Sequence, residues 1–381
     1  MLLSTKDIEV LKLICWCKNV PVPVRMKLCS FYGLDELDVF EYTGLTYRSK
    51  DGKNIRPRPA AYRLLSDAGI NFKSDLKPQT KEKVLERRNI ASQILFTFYR
   101  AGVSVFEDKL DKVYNTPVYI ASFAARQSDA CNPFGSTRFY GIFRTAQEAF
   151  LVLYADDTGV YYQKELTLFH SLTEATGILN TAIIIMGKST QGIAAQVLRE
   201  QKNNRRKTKY NTDSFQEIFE MTTLPTHFIP IGDSGAQIIR FLIYPDYREA
   251  IAKAILKSSY RSPYPNLTDT DTIHHKEPYN PAVVAIDMDV GRIDRAIAGA
   301  RNIGYEKIAI YALPEQVNFL KSRYSAVEAA DVMTINLDNI KNVINHSISL
   351  YQPPSDLYVT NEGRYFDVSD FSAYRKAGRQ V

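Results

Sequence analysis

Between Tyr47 and Arg58 the chain carries Arg48, Lys50, Lys53, Arg56 and Arg58 against a single acid, Asp51. So many guanidinium and ammonium groups in a short stretch are suited to phosphates, because each contact to a nucleic-acid backbone releases counterions and adds sequence-independent affinity. The Asp51-Gly52 pair at its centre favours a tight hairpin turn. Directly after it, Arg58, Tyr62, Arg63 and Ser66 recur at helical spacing and offer donors to phosphates and base edges. A second basic run, with Lys202, Arg205, Arg206, Lys207 and Lys209 and no acid inside it, reads either as another phosphate contact or as a solvated loop.

Carboxylates offer the rival chemistry. Asp287 and Asp289 follow the apolar run 282–286 and precede a helical stretch, an Asp-x-Asp pattern that binds magnesium when a Glu from another strand end completes it. The run 181–186 ends in Met186-Gly187-Lys188 where that Glu should stand, so the plainer reading is that Asp289 or a neighbour caps the next helix. Asp156 and Asp157 close a further apolar run. No His-x-His occurs, and the His274-His275 pair lies in a polar, Pro-bounded stretch that suits a linker better than a ligand pair. No resident metal is expected. Cys15, Cys17, Cys29 and Cys131 include no CxxC pair and read as reduced core thiols. Gly187-Lys188-Ser189 and Gly232-Asp233-Ser234-Gly235 stand at helix starts, where phosphate can be cradled. Neither has the P-loop spacing, and ordinary turns are the preferred reading.

The elements that must position these groups follow from capping and periodicity. Ser4 with Asp7 makes a capping-box start for a helix running to about Asn19, with Ile8, Leu11, Ile14 and Cys15 on one face. A second helix begins at Pro23 and stops at Gly33. A third opens at Pro59, buries Ala61, Leu64, Leu65 and Ala68, stops at Gly69, and turns Tyr62, Arg63 and Ser66 outward. Three short helices with a basic last one fit a helix-turn-helix or winged-helix unit over 1–78, the third helix entering the major groove. The alternative is a three-helix protein-interaction module. The segment 70–78 is short and polar for a wing. A longer helix from about Thr80 to Ala101, within a connecting region 79–116, either joins this module to the next domain or dimerises and sets two reading helices on two half-sites.

From Pro117 the pattern turns to strands at 118–123, 137–144 and 149–155, then a helix at 166–179, a buried strand at 181–186, a helix at 189–200 and a strand at 227–231 leading through the glycine turn to another helix. After a linker at 258–280, strands at 282–286 and 307–312 flank a helix near 293–301. Alternating strands and helices indicate an α/β fold (α+β for the whole chain) with a mixed sheet. The central domain spans 117–257, a further α/β segment spans 281–345, and an irregular tail spans 346–381.

Composition bounds the reading. The chain has 381 residues, with 48 Lys+Arg against 42 Asp+Glu, enough length for two or three domains with their own cores. Residues 1–100 hold 18 of those cations against 11 acids, so the positive excess lies in the first quarter, as expected of a phosphate-binding module on a neutral body. No apolar run approaches the roughly 20 residues of a membrane helix, and the start has no secretory pattern. A cytoplasmic protein without membrane partners is expected.

In order along the chain, "RPAAYRLLSDAGINF", "RRNIASQILFTFYRAGVSV", "GSTRFYGIFRTAQEAFLVLYADD", "TAIIIMGKSTQGIAAQVL" and "HFIPIGDSGAQIIRFLIYP" resemble the replication-relaxation family of plasmids and integrative conjugative elements, which includes the MobC-type relaxases. The resemblance implies a winged-helix DNA-binding domain followed by a restriction-endonuclease-like domain, acting in plasmid replication or conjugative transfer. Such a nuclease site needs an Asp on one hairpin strand and Glu/Asp-x-Lys on the next. Residues 138–143 and 150–154 carry no acid, and Asp156 and Asp157 lack the x-Lys partner, so the site reads as degenerate. The expected function is recognition of double-stranded DNA, with proteins of the transfer or replication machinery as further partners and no cofactor. The rivals are a metal-dependent nickase using Mg2+ with Asp287, Asp289, Asp156 or Asp157, and an interaction adaptor.

Overall fold

Ser4 opens the first helix as predicted. Its hydroxyl accepts the Asp7 N–H at 3.0 Å while the Asp7 carboxylate accepts the Ser4 N–H at 2.9 Å, so the orphan amides of the first turn are satisfied reciprocally. The structure is a computed structural model that describes residues 2–32, 39–70, 72, 81–109, 112, 114–125, 139–155, 163–178, 180–198, 224–274, 280–324, 330–340, 343, 350–352, 358–360 and 365–366. It divides into two units, one of residues 1–96 with 351–381, the other of residues 97–350.

In the first unit, strand β1 (Leu2–Ser4) leads into α1 (Thr5–Cys17), which Lys18 ends by turning left-handed at φ 61. Then come β2 (Val20–Pro21), α2 (Val22–Tyr32), α3 (Val39–Tyr42), β3 (Thr46–Arg48), β4 (Asn54–Pro57) and α4 (Pro59–Asp67). The predicted hairpin exists, with Gly52 at φ 69 in its turn. It is not isolated: β4 lies between β2 and β3 in an antiparallel sheet, Val20 opposite Ile55 and Tyr47 opposite Arg56. The helix at Pro59 is therefore the fourth, because α3 intervenes. Pro59 occupies its first position, Ala61 and Leu65 are buried, and Gly69 at φ 78 closes it. The segment 70–78 weighed as a wing lies largely outside the described residues.

Helix α5 (Glu82–Arg100) matches its predicted span; residues through Phe96 group with the first unit and the rest with the second. The second unit continues with β5 (Val118–Ala121), α6 (Ser122–Ala125), β6 (Gly141–Arg144), β7 (Glu148–Tyr154), α7 (Gln163–Ala175), β8 (Asn180–Gly187), α8 (Thr190–Val197), β9 (Thr226–Pro230) and α9 (Asp233–Leu242). The strand expected to reach Phe123 stops earlier because Ser122 begins a helical turn. The five strands lie in sequence order; β5, β6 and β7 are antiparallel, and β7, β8 and β9 are parallel. An aromatic layer runs across them: Phe98 stacks on Tyr119 at 4.3 Å, and Phe143 meets Phe98 and Phe150 at 5.1 Å each. Gly141 is needed beside it, since a Cβ there would fall 2.5 Å from the Tyr119 ring.

Next come α10 (Tyr247–Leu256), β10 (Thr272–His274), β11 (Asn280–Val284), α11 (Val290–Asn302), β12 (Ile308–Ala312), α12 (Pro314–Tyr324), β13 (Ala330–Thr334) and α13 (Leu337–Ile340). Strands β10 to β13 form a second sheet, antiparallel at β10 and parallel thereafter. Of the expected linker 258–280, the described part 258–274 is thus built into the fold. Leu267, Thr270, Thr272 and Ile273 are buried, and the Asp271 carboxylate accepts the Val284 N–H at 2.7 Å and the Arg292 guanidinium at 2.9 Å.

The tail also departs from the expected irregular course. Strand β14 (Tyr358–Thr360) pairs antiparallel with β1, Leu3 opposite Val359, and with β15 (Tyr365–Phe366), while the Tyr351 hydroxyl donates to Glu9 at 2.5 Å. Cys15, Cys17 and Cys29 are buried and joined in no disulfide, as expected, and burial pushes the Cys17 thiol up to about 12; Cys131 and His275 lie outside the described residues. No described helix is long and apolar enough to cross a membrane.

Candidate functional site

The basic hairpin of the first unit divides into groups spent on the fold and groups left to solvent. Arg48 Nε donates to both Glu41 oxygens, at 2.9 and 3.0 Å. Arg56 Nε donates to Asn19 Oδ1 at 2.8 Å, and the fully buried Asn19 also donates to Asn54 at 3.4 Å and to Asn89. These contacts fix β4 against α5 within the first unit, so Arg48 and Arg56 act as struts. Lys50 and Lys53 stand exposed at the hairpin tip. Between them, the Ser49 hydroxyl and then the Lys53 amide and charge hold the Asp51 carboxyl below its ordinary pKa.

At the start of α4, exposed Arg58 reaches back over the Tyr47 ring, 5.5 Å from its centroid, which places it beside the hairpin. Arg63 and Ser66, one helical turn apart, are exposed as expected. Tyr62 is not. Its hydroxyl donates to the Cys15 carbonyl at 3.1 Å, and burial raises its pKa, so this side chain holds α4 on α1 and leaves the outward face. Arg205, Arg206 and Lys207 lie outside the described residues, as do Asp156 and Asp157.

A second centre lies wholly in the second unit. Asp287, fully buried after β11, presents Oδ2 to Tyr247 Oη at 2.6 Å, to an Arg248 guanidinium nitrogen at 2.5 Å and to His227 Nδ1 at 3.0 Å. Its backbone carbonyl accepts the Phe228 N–H at 3.2 Å. Burial works to raise the Asp287 pKa, but the Arg248 charge and then the His227 hydrogen bond and charge outweigh it, and the carboxyl is held well below the ordinary range. Burial raises Glu148 despite the opposing charges of His227 and Arg248, with Asp287 adding to the rise. Among the described residues, Asp287 Oδ1 has no hydrogen-bond partner.

This arrangement anchors charge. A divalent cation at Asp287 Oδ2 would have to displace the Arg248 guanidinium. Asp289 Oδ1 accepts the Arg292 N–H at 3.0 Å and caps α11, the plainer of the two sequence readings. Between the two acids, Met288 is fully buried at φ 53, a conformation bulky residues rarely adopt. Among the described residues no group of three or more His, Cys, Asp or Glu side chains is arranged to hold a metal ion.

Comparison with protein-family models, curated proteins and solved structures gives no match.

Sequence reasoning passed over Tyr42, which is 95% exposed on α3, because α3 is too short for an apolar stripe to announce it. It also passed over His227, Tyr247 and Arg248, since their spacing from Asp287 carries no local pattern.

Proposed function

We propose that this protein binds duplex DNA through a winged-helix first unit and acts in the replication or transfer of a mobile element, as its resemblance to the replication-relaxation family implies. One observation supports the reading above others. The order α1–β2–α2–α3–β3–β4, with β4 between β2 and β3, is a helical trio closed by a small antiparallel sheet whose last hairpin carries exposed Lys50 and Lys53 at its tip. On this reading the hairpin is the wing. The major-groove role moves from α4 to α3, where Tyr42 faces solvent, and Arg58, Arg63 and Ser66 flank the duplex from the start and outer face of α4.

The second unit serves as a body for partner proteins or a further stretch of DNA. A meander β5-β6-β7 followed through α7 by parallel β8 supports the restriction-endonuclease-like reading. Glu148, at the start of β7, is the one acid on β6 and β7, which supports a degenerate site.

The test is duplex binding by the full chain across a salt series. The logarithm of affinity should fall with that of salt by about 0.9 per phosphate neutralised. Lys50→Ala with Lys53→Ala should flatten the slope by about one unit for each lysine. Absence of binding at low salt overturns the proposal, and magnesium- or manganese-dependent plasmid nicking overturns the degenerate-site reading.

A further inference from the structure

A sheet edge left unpaired offers a row of main-chain donors and acceptors to any strand that fits it. The two sheets of the second unit end in β5, β9, β10 and β13, and backbone of the same unit meets the outer side of the first three. Ser104 bridges to Val118 along β5, and the Tyr119 N–H donates to the Ser104 carbonyl at 2.8 Å. On β9 the Phe228 N–H donates to the Asp287 carbonyl at 3.2 Å, and on β10 the Ile273 N–H donates to the Arg261 carbonyl at 3.1 Å. Among the described residues nothing pairs with the outer side of β13.

One bond fixes which of its groups are free. Ile335 donates its N–H to the Ala312 carbonyl of β12 at 2.8 Å. Main-chain groups alternate sides along a strand, so those of Asp331 and Met333 face β12, and the N–H and C=O groups of Ala330, Val332 and Thr334 point outward. The usual protections of an edge are missing. The strand holds neither Pro nor Lys, and its one charge, Asp331, lies 3.5 Å from Lys307. Asp331, Met333 and Thr334 are exposed, Met333 by 41%.

We propose that β13 is the surface through which two copies of this chain associate, pairing antiparallel about a two-fold axis at Val332. The spacing of the outward groups selects a second copy. In that register Val332 exchanges both main-chain bonds with Val332 of the partner subunit, and Ala330 does so with Thr334 of the partner subunit, so every outward donor and acceptor of both edges is met. The side chains agree. Asp331 lies opposite Met333 of the partner subunit, which keeps the two acids out of direct opposition and covers an exposed methionine, while the β-branched valines face each other. A strand this short buries less than a standard interface, so the dimer is weak and concentration-dependent.

Sedimentation equilibrium of the full chain over a concentration series tests this, with a reversible monomer–dimer equilibrium as the expected result. Val332→Pro removes an outward N–H and leaves the ladder to β12 intact, a place where an edge strand tolerates proline. It should abolish the dimer while the circular dichroism spectrum stays that of the wild type. Met333 reports the register. Met333→Lys sets an ammonium opposite the partner's Asp331 and should tighten the dimer about two- to fivefold, whereas Met333→Glu sets like charges opposite and should weaken it by a similar factor. Both shifts should shrink in high salt. Because Met333 is exposed, neither variant disturbs the core. A monomer at every concentration overturns the proposal and leaves the edge to a strand from another protein. So does a dimer that Val332→Pro leaves intact, or a pair of Met333 variants that shift association in the same direction. None of these readouts involves DNA, so failure of duplex recognition and failure of this interface are distinguishable.

Discussion

The Arg58 guanidinium lies 5.5 Å from the centroid of the Tyr47 ring, so the first residue before α4 is joined to the first strand of the basic hairpin. Such a contact at an exposed position is worth about 0.5–1 kcal/mol. It orders Arg58 without neutralising it. Tyr47→Leu should therefore weaken duplex binding about two- to fivefold, as Arg58 loses its platform, while the thermal midpoint barely moves. Fluorescence anisotropy on one duplex at fixed salt measures the first, and a thermal scan the second. Unchanged affinity would remove Arg58 from the interface.

The buried Asp287 centre predicts a large stability effect. Removing one member of a buried charged pair leaves the other uncompensated, at about 3–5 kcal/mol. Asp287→Ala should lower the urea midpoint accordingly, and Arg248→Ala in the same background should cost less than it does alone, because its partner has already gone. Additive losses would show that the two side chains do not act together.

The same carboxylate sets a pH dependence. Asp287 has a folded pKa below its unfolded value of about 3.9, so its contribution is complete above that value and is lost as pH falls through the lower folded pKa. The stability gap between wild type and Asp287→Asn should stay level from neutral pH to about pH 5 and close only in stronger acid. Glu148 has the opposite sign. Its raised pKa means that its charged form opposes folding once pH exceeds the folded value, so Glu148→Gln should stabilise at neutral pH and lose that advantage near the unfolded value of about 4.3. Chemical denaturation at stepped pH reads both.

Tyr351 donates to a buried carboxylate, Glu9 on α1. Hydrogen bonds to charged groups contribute about 1.5–3 kcal/mol, and Tyr351→Phe should destabilise the first unit by that order. Tryptophan fluorescence isolates the effect, because Trp16, the chain's one tryptophan, lies on α1.

Local signals were legible in the sequence, and assembled ones were not. The Ser4–Asp7 box, Pro59 at a helix start and the Asp51-Gly52 turn are decided within a few residues, and each appears where expected. Helix α3 and strand β10 are too short for periodicity to reveal, although buried Phe40 and Ile273 mark them afterwards. Tyr62 was misplaced because a tyrosine at the margin of an apolar stripe can bury its ring and still satisfy its hydroxyl, here on a carbonyl of α1. Asp287 stood out as an acid after an apolar run. What it does was hidden, because its partners come from β9 and α10, and only the tertiary fold brings them to one oxygen.

The pairing of β1 with β14 makes the order of synthesis matter. A ribosome delivers α1 to α4 early, but the strand that borders β1 emerges only after the whole second unit has been translated. A nascent chain therefore holds its front module with one edge open until translation passes Thr360, and the finished module reports that everything between its two halves has been made.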